Sequence, residues 1–263
     1  MDRVVLISGA SKGMGLLMAQ RLHARGYRVF GTSRNPEQGA LPFPLLALDV
    51  GDPASVSAVV AQVQQQAGRL DVLINNAGYD LYGAAEETSM EELAAQIDTN
   101  FFGAVRLTKA ALPLLRRRPG SQIINLSSVG GFVSLPYNSA YAASKYALEG
   151  YSESLRYELL ADQIYVSLIQ PGQVRTDTLD TSIRAAGQSQ QARRAAERAR
   201  AMGRQARLLP EAVVDVVVRV IESPRPQLRY PVGLQASLLA WLKPLLPDRV
   251  RESIMIGQFM PPA

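Results

Sequence analysis

The sequence predicts an α/β fold built on one doubly wound, parallel β-sheet flanked by helices, and three observations carry that expectation. Short apolar runs alternate with helical patterns along most of the chain, as in strand–helix–strand units. The first apolar run leads directly into a glycine-rich turn and then a helix. No linker-like shift of composition and no repeat at a solenoid period divides the 263 residues, so residues 1–263 are expected to form a single domain.

The elements follow in order. Val4-Val5-Leu6-Ile7 is apolar and β-branched and reads as a buried first strand. Ser8-Gly9-Ala10-Ser11-Lys12-Gly13-Met14-Gly15 comes next, and Leu16, Leu17, Ala19 and Leu22 then recur at helical spacing. Glycines permit a tight turn and close approach of a phosphate, while a helix N-terminus offers N–H groups and the positive end of its dipole. Arg28-Val29-Phe30-Gly31-Thr32 reads as a second strand and Leu45-Leu46-Ala47-Leu48 as a third. Residues 53–67 carry Val56, Val59, Val60 and Val63 at helical spacing. Val72-Leu73-Ile74 is a fourth strand, ending at Asn75-Asn76-Ala77-Gly78. One long helix is expected over 90–115, a fifth strand at Gln122-Ile123-Ile124-Asn125-Leu126, and a helix carrying Tyr141 and Lys145 as far as residue 160. A sixth strand runs from Ile164 to Ile169 and is stopped by Pro171-Gly172. Residues 176–210 are rich in alanine and arginine and helical by composition. Residues 234–256 form a C-terminal extension with leucines at helical spacing, suited to packing on the domain or on a subunit partner.

Composition excludes several chemistries. A hydrophobic share of 47% with 19% charged residues is ordinary for a folded domain. There are no cysteines and one histidine, His23. Disulfide scaffolds, zinc sites and Ser-His-Asp or Cys-His catalysis therefore lack their essential groups, and no metal site is expected. The net charge of +5 is local, because seven arginines and one glutamate lie between Arg184 and Arg207. Such a stretch reads as a solvated face, and no nucleic-acid partner is expected. The longest candidate membrane segment, from Leu238 to Leu246, is short and broken by Lys243 and Pro244, so no membrane span is expected. With no basic-then-apolar leader, a cytoplasmic location is the expectation.

Tyr141-Ala-Ala-Ser-Lys145 is the stretch richest in chemistry. Residues at i and i+4 share a helix face, so a phenol and an ammonium are brought together. A phenol is a poor base at neutral pH, and a fixed cation nearby is expected to lower its pKa. Such a pair can take a proton from an alcohol or return one to a ketone.

Gly9-x3-Gly13-x-Gly15, Asp49-Val50, Asn75-Asn76-Ala77-Gly78, Asn100-x2-Gly103, Ser127-Ser128, Tyr141-x3-Lys145 and Pro171-Gly172 stand in an order and spacing that resemble the short-chain dehydrogenase/reductase family across residues 3–177. Ser128-Val-Gly-Gly131, Ala143-Ser-Lys-Tyr-Ala-Leu-Glu-Gly150 and Arg229-Tyr-Pro-Val-Gly233 further resemble its retinol and 17β-hydroxysteroid dehydrogenase group. Ser8 stands where that family usually has threonine, with the hydroxyl kept.

The resemblance implies a single-domain Rossmann fold and an oxidoreductase that interconverts a hydroxyl and a carbonyl by hydride transfer. Tyr141 would be the general acid in reduction and the base in oxidation. Lys145 would lower its pKa and hold the nicotinamide ribose. Ser128 would donate a hydrogen bond to the carbonyl oxygen, with Ser127 as the competing choice. Asn100 would anchor a water in a proton relay reaching Lys145; its competing role is to bond backbone within a helix. Gly9, Ser11, Lys12, Gly13, Met14 and Gly15 would cradle the dinucleotide, and Asp49 with Val50 would meet the adenine edge. Asn76, Ala77 and Gly78 would line the adenosine side, while Pro171, Gly172, Val174 and Thr176 would border the nicotinamide. Residues 176–210 would be a lid over the substrate. Val133, Tyr137 and Tyr146 would offer it an apolar wall, Val133 and Tyr137 beside Ser128 and Tyr141. The substrate class is a hydrophobic alcohol or ketone of steroid, retinoid or long-chain type. A homodimer or homotetramer is implied, assembled through the helices 90–115 and 141–160. The other readings are a non-enzymatic redox sensor or scaffold and a nucleotide-sugar epimerase or dehydratase.

The cofactor is expected to be NADP(H). An NAD site places an acid about 20 residues past the glycine turn, on the ribose 2′-hydroxyl. Here Ser33 stands at that place and Arg34 follows, with Lys12 in the turn itself. A guanidinium binds a 2′-phosphate by paired charge-assisted hydrogen bonds, whereas an acid repels it. The plainer alternatives are a solvated Arg34 and a surface Lys12.

Overall fold

The fold was obtained as a computed structural model that describes residues 3–36, 41–175, 183–186 and 189–259. Seven strands form one parallel sheet: β1 (Val4–Ile7), β2 (Arg28–Ser33), β3 (Leu45–Ala47), β4 (Val72–Asn75), β6 (Gln122–Leu126), β7 (Tyr165–Pro171) and β9 (Arg229–Val232). Their spatial order is β3-β2-β1-β4-β6-β7-β9. The chain winds outward from β1 to β3, returns to the other side of β1 at β4, and continues to β9. Parallel neighbours need crossovers, which here contain helices except between β2 and β3, where the described residues form none, and both sheet faces are covered. The strand order reverses between β1 and β4, and in such sheets ligands bind at the carboxyl ends of the strands beside that reversal.

Residue alternation sorts the core into two layers. Val5 and Ile7 of β1 pack with Met18 and Leu22 of α1 (Gly13–Ala24) and with the valines of α7 (Pro210–Glu222). Val4 and Leu6 turn to the opposite face, against α2 (Pro53–Ala67), α4 (Gly103–Leu115) and α5 (Ser139–Leu159). Strands buried on both faces read as largely apolar runs, unbroken in β1 and interrupted by buried polar residues in β4 (Asn75) and β6 (Gln122, Asn125), which is why these strands were legible.

Local chemistry sets several helix ends. Asp52 caps α2 by accepting from the N–H groups of Ala54 at 2.9 Å and Ser55 at 3.3 Å. Gly68 closes that helix at φ 69°, a conformation glycine adopts without steric cost. Ser89 and Glu92 form a capping box at the start of α3 (Met90–Ile97). The start of α1 has no side-chain cap.

Three features depart from the sequence reading. The expected continuous helix over 90–115 is interrupted by a π turn, Asp98–Phe102, in which the Gly103 N–H reaches back five residues to the Asp98 carbonyl. Two further elements of the main sheet layer, α7 and β9, were not anticipated, nor was a small parallel pair of β5 (Asp80–Tyr82) with β8 (Ile183–Ala185). The C-terminal extension breaks at Lys243–Leu245 into α8 (Leu234–Leu242) and α9 (Asp248–Phe259), next to Pro244 and Pro247. Between β8 and α7, α6 (Gln190–Gln205) is helical, as its composition predicts. Among the described residues no helix is long and apolar enough to cross a membrane.

Candidate active site

The turn after β1 is shaped by close approach. Gly9 and Gly13 adopt φ of 69° and 56°. A Cβ on Gly15 would lie 2.0 Å from the Gly9 carbonyl oxygen and 2.6 Å from Asn76 Nδ2. Only glycine fits there, and the uncapped first turn of α1 lies beside it. Ser8 clasps the turn to the end of β4: its Oγ accepts from the N–H groups of Asn76 and Ala77, each at 2.9 Å. Asn76 Nδ2 returns bonds to the carbonyls of Ser8 at 3.0 Å and Gly9 at 2.9 Å.

The expected cofactor residues differ in exposure. Ser11, Lys12, Gly13 and Arg34 are exposed, and Met14 is half-buried against the α1 core layer. Asp49 is exposed just beyond β3, with its Oδ1 accepting from the Gly51 N–H at 2.9 Å. Val50 is buried in the core instead, with its Cγ2 only 2.6 Å from where a Cβ on Gly103 would stand. Its side chain faces packing rather than the crevice, because α4 approaches this loop closely. Gly78 lies under Asn100, whose Oδ1 would be 2.9 Å from an added Cβ. Pro171 ends β7 and the Gly172 N–H donates to the Val232 carbonyl at 3.0 Å. Val174 bridges to Leu208. Thr176 lies outside the described residues, as does part of the expected lid over 176–210. The fit of a dinucleotide rests on the glycine cradle, where any side chain would fill the space.

Ser128, Tyr141 and Lys145 meet beyond β6. Ser128 follows the strand by two residues, accepts from the Gly130 N–H at 3.0 Å and hydrogen-bonds Tyr141. A Cβ on Gly130 would stand 3.0 Å from Tyr141 Cε1, so the ring lies against the backbone of that turn. Ser127 is committed elsewhere: its Oγ donates to Glu149 at 2.6 Å. Glu149 is buried and also accepts from Gln170 at 2.9 Å and Arg229 at 3.0 Å, which ties α5 to β7 and β9.

Lys145 is buried, and its Nζ donates to the Leu126 carbonyl at 2.7 Å while standing 5.6 Å from the Tyr141 ring centre. Burial lowers its pKa to about 8, against the opposing charges of Asp80 and Glu149. The expectation that Lys145 depresses the phenol is corrected here. Burial, followed by the negative charge of Asp80, pushes Tyr141 above the ordinary phenol value, and the bond with Ser128 only partly opposes this. The helix does place the two side chains on one face, but the ammonium turns to the sheet end.

Asn100 sits in the π turn and is buried. Its Oδ1 accepts from the Tyr79 N–H at 3.0 Å, and its Nδ2 donates to the Tyr79 carbonyl at 2.9 Å and to Ser144 Oγ at 3.2 Å. The side chain therefore grips the backbone entering β5 and touches the turn of α5 between Tyr141 and Lys145.

Among the expected substrate residues, Val133 is buried just past the turn that follows Ser128. Tyr137 is half-buried at φ 62°, which turns its carbonyl to accept from the Gly83 N–H at 2.8 Å. Tyr146 instead faces outward, its hydroxyl accepting from Lys243 at 3.1 Å. Asp80, Tyr82 and Asn138 were missed. Asp80 Oδ1 accepts from Asn138 Nδ2 at 2.8 Å, and Tyr82 hydrogen-bonds the same carboxylate. The available signal was an acid two residues past Asn76-Ala77-Gly78, at the carboxyl end of a sheet strand.

Comparison with known proteins agrees with this architecture. The family described as short chain dehydrogenase matches residues 3–186. A 3-ketodihydrosphingosine reductase of Bacteroides thetaiotaomicron is 45% identical over 178 residues, covering 68% of this chain and 66% of that protein, just under two thirds of its length. Human retinol dehydrogenase 8 is 36% identical over 266 residues, covering 92% of this chain and 85% of that one. The crystal structure of a short-chain dehydrogenase from Streptomyces avermitilis superposes with a TM-score of 0.84 at 32% identity, covering 98% of this chain and 99% of that one. The chain therefore belongs to the short-chain dehydrogenase/reductase family, whose fold binds a nicotinamide dinucleotide.

Proposed function

We propose that the protein is an NADP(H)-dependent oxidoreductase that interconverts a hydroxyl and a carbonyl on a hydrophobic substrate of steroid, retinoid or long-chain type. The observation that carries this reading is the meeting of Ser128, Tyr141 and Lys145 at the sheet's carboxyl end, next to the glycine cradle. When bound, the nicotinamide supplies or accepts the hydride. In reduction Tyr141 gives its proton to the carbonyl oxygen, and its raised pKa keeps that proton in place through neutral pH. Ser128 stabilises the charge developing on that oxygen by donating a hydrogen bond. Lys145 holds the ribose side of the nicotinamide and contributes positive charge while protonated.

The relatives' names, a ketodihydrosphingosine reductase and a retinol dehydrogenase, favour carbonyl–hydroxyl chemistry on hydrophobic molecules. Preference for NADP(H) rests on Lys12 and Arg34, both exposed at the crevice, with Ser33 where an NAD site keeps an acid. Following absorbance while NADPH or NADH is mixed with a panel of ketones tests the reading. The expected result is turnover with a kcat/KM favouring NADPH, inverted by Arg34→Asp. Equal or greater efficiency with NADH in the wild type would remove the NADP(H) assignment. No oxidation of either cofactor with any ketone, and no reduction with any alcohol, would remove the enzyme assignment.

A further inference from the structure

Glu149 is a buried carboxylate to which the proposed reduction gives no part, yet three separated stretches of the chain converge on it. Its Oε1 accepts from Ser127 Oγ at 2.6 Å and from Gln170 Nε2 at 2.9 Å. Its Oε2 accepts from Arg229 Nε at 3.0 Å. Arg229 is held in turn by Glu153 Oε2 at 2.7 Å, one turn further along α5. Donors on both oxygens thus hold the carboxylate against rotation. Two of the stretches singled out in the sequence, residues 143–150 and 229–233, supply the two ends of the Glu149–Arg229 ion pair.

Residues of α5 and of the end of β6 match one for one. Tyr141, Lys145 and Glu149 recur at four-residue steps and share one face of the helix. Against them lie three consecutive residues. Lys145 Nζ donates to the Leu126 carbonyl at 2.7 Å, Glu149 accepts from the Ser127 hydroxyl, and Tyr141 hydrogen-bonds Ser128. The two glycines of the following turn fit between these groups. A Cβ on Gly130 would stand 3.0 Å from Tyr141 Cε1 and 3.5 Å from Ser128 Oγ. One on Gly131 would stand 2.7 Å from Ser127 Oγ and 3.0 Å from Glu149 Cγ. The turn therefore rests on Tyr141 and Ser128 through one glycine and on Ser127 and Glu149 through the next.

A serine hydroxyl keeps one rotamer only where its surroundings hold it. Ser128 Oγ accepts from the Gly130 N–H at 3.0 Å, and its carbonyl accepts from the Gly131 N–H at 2.9 Å, so its aim follows the course of the turn. Ser127 stands immediately before that turn, and its hydroxyl is where α5 anchors the start. A donor to a developing oxyanion works only in register, since an error of about 1 Å can cost on the order of 10²-fold in rate.

We propose that Glu149 is a positioning residue for the carbonyl reduction, fixing through the Ser127 hydroxyl the turn that aims Ser128 at the substrate oxygen. The inference rests on the reductase reading. Glu149 and Ser127 exchange no proton with the substrate, which still takes its proton from Tyr141.

Ser127→Ala cuts this link alone, since Glu149 keeps Gln170 and Arg229 and the tie between α5, β7 and β9 stays. With NADPH and 2-decanone, or the ketone of a panel that the wild type reduces fastest, kcat should fall about tenfold. The ketone KM and the NADPH dissociation constant, read by fluorescence, should stay within about threefold. The thermal midpoint should stay within about 5 °C. A cycle with Ser128→Ala separates positioning from general damage. Once that hydroxyl is gone its aim no longer matters, so adding Ser127→Ala should lower kcat by less than about twofold more. Glu149→Gln keeps the shape but offers one acceptor oxygen to three donors. It should give both results as well, and it serves should Ser127→Ala fail to fold. A kcat within about twofold of wild type in either variant, a loss carried by KM or NADPH affinity, or the same fall repeated in Ser128→Ala overturns the inference and leaves the reductase reading standing. Failure of both variants to fold also overturns it, making Glu149 a structural tie only. Failure of the wild type to reduce any ketone with either cofactor overturns both readings.

Discussion

Tyr141 shows how far a side chain's environment can redirect what its neighbours in sequence suggest. Its hydroxyl is pushed upward by burial and by Asp80, so the phenol holds its proton through neutral pH. Tyr141→Phe keeps the ring against Gly130 and removes the donor. Turnover should fall to no more than a few per cent of wild type, while dinucleotide affinity, measured by calorimetry, stays within severalfold; a variant with substantial rate would mean the wrong acid has been assigned. Lys145 gives a pH signature. Its pKa of about 8 in the ligand-free protein lies below the ordinary lysine value, so above pH 8 the free protein loses the charge proposed to hold the ribose side. Binding must then take up a proton, and by linkage the dissociation constant should rise with pH from about 8 upward, approaching tenfold per pH unit. Titrating the dinucleotide between pH 6 and 10 checks this, and Lys145→Met should bind more weakly with that rise abolished.

At the scale of elements, the turns after β1 and β4 are clasped together. Ser8 Oγ accepts two backbone N–H groups from the turn after β4. Ser8→Ala would leave both without that acceptor in a part-buried site, at a cost of about 1–3 kcal/mol. Ser8→Thr keeps the hydroxyl and should recover most of the loss in chemical denaturation; equal stability of the alanine variant would show that the clasp is not needed. The π turn at Asp98–Phe102 acts similarly at a distance, since it brings Asn100 inward onto Tyr79 and sets Gly103 against Val50. A methyl at Gly103 would come within 2.6 Å of Val50 Cγ2. Valine is stiff at χ1 and cannot swing aside cheaply. Gly103→Ala should therefore cost about 1–3 kcal/mol in the same measurement and loosen the Asp49 loop.

For the whole molecule, the surfaces of α3, the π turn and α5 leave large apolar groups in solvent. Met90 is 70% exposed, Phe102 46% and Tyr157 62%. A groove lined by Met90, Leu93, Ala94, Ile97 and Phe102 runs along the same region. Exposed apolar groups of this kind suit an interface, and we expect a homodimer or homotetramer that buries them. Light scattering at micromolar concentration should return a mass of two or four chains. Phe102→Glu should lower that mass, and a wild-type monomer would refute the expectation.

The doubly wound sheet was legible because its cause is local. Val4–Ile7 is apolar throughout and Gln122–Leu126 is buried throughout, since both faces of a parallel strand are covered, and Gly9 and Gly15 are required by backbone that nearly touches, Gly13 by its positive φ. The grouping of Ser128, Tyr141 and Lys145 was legible too, because one helical turn and one strand end fix most of their geometry. Only the folded chain decided which way each charge points. Lys145 turns to the Leu126 carbonyl, Asn100 spends its amide on Tyr79 and Ser144, Val50 goes into the core, and the charge of Asp80 reaches Tyr141 from a separate strand. None of these is a property of spacing along the chain. Each follows from elements distant in sequence packing at short range, and burial there set the ionisation of Tyr141 and Lys145 more strongly than their one-turn separation did.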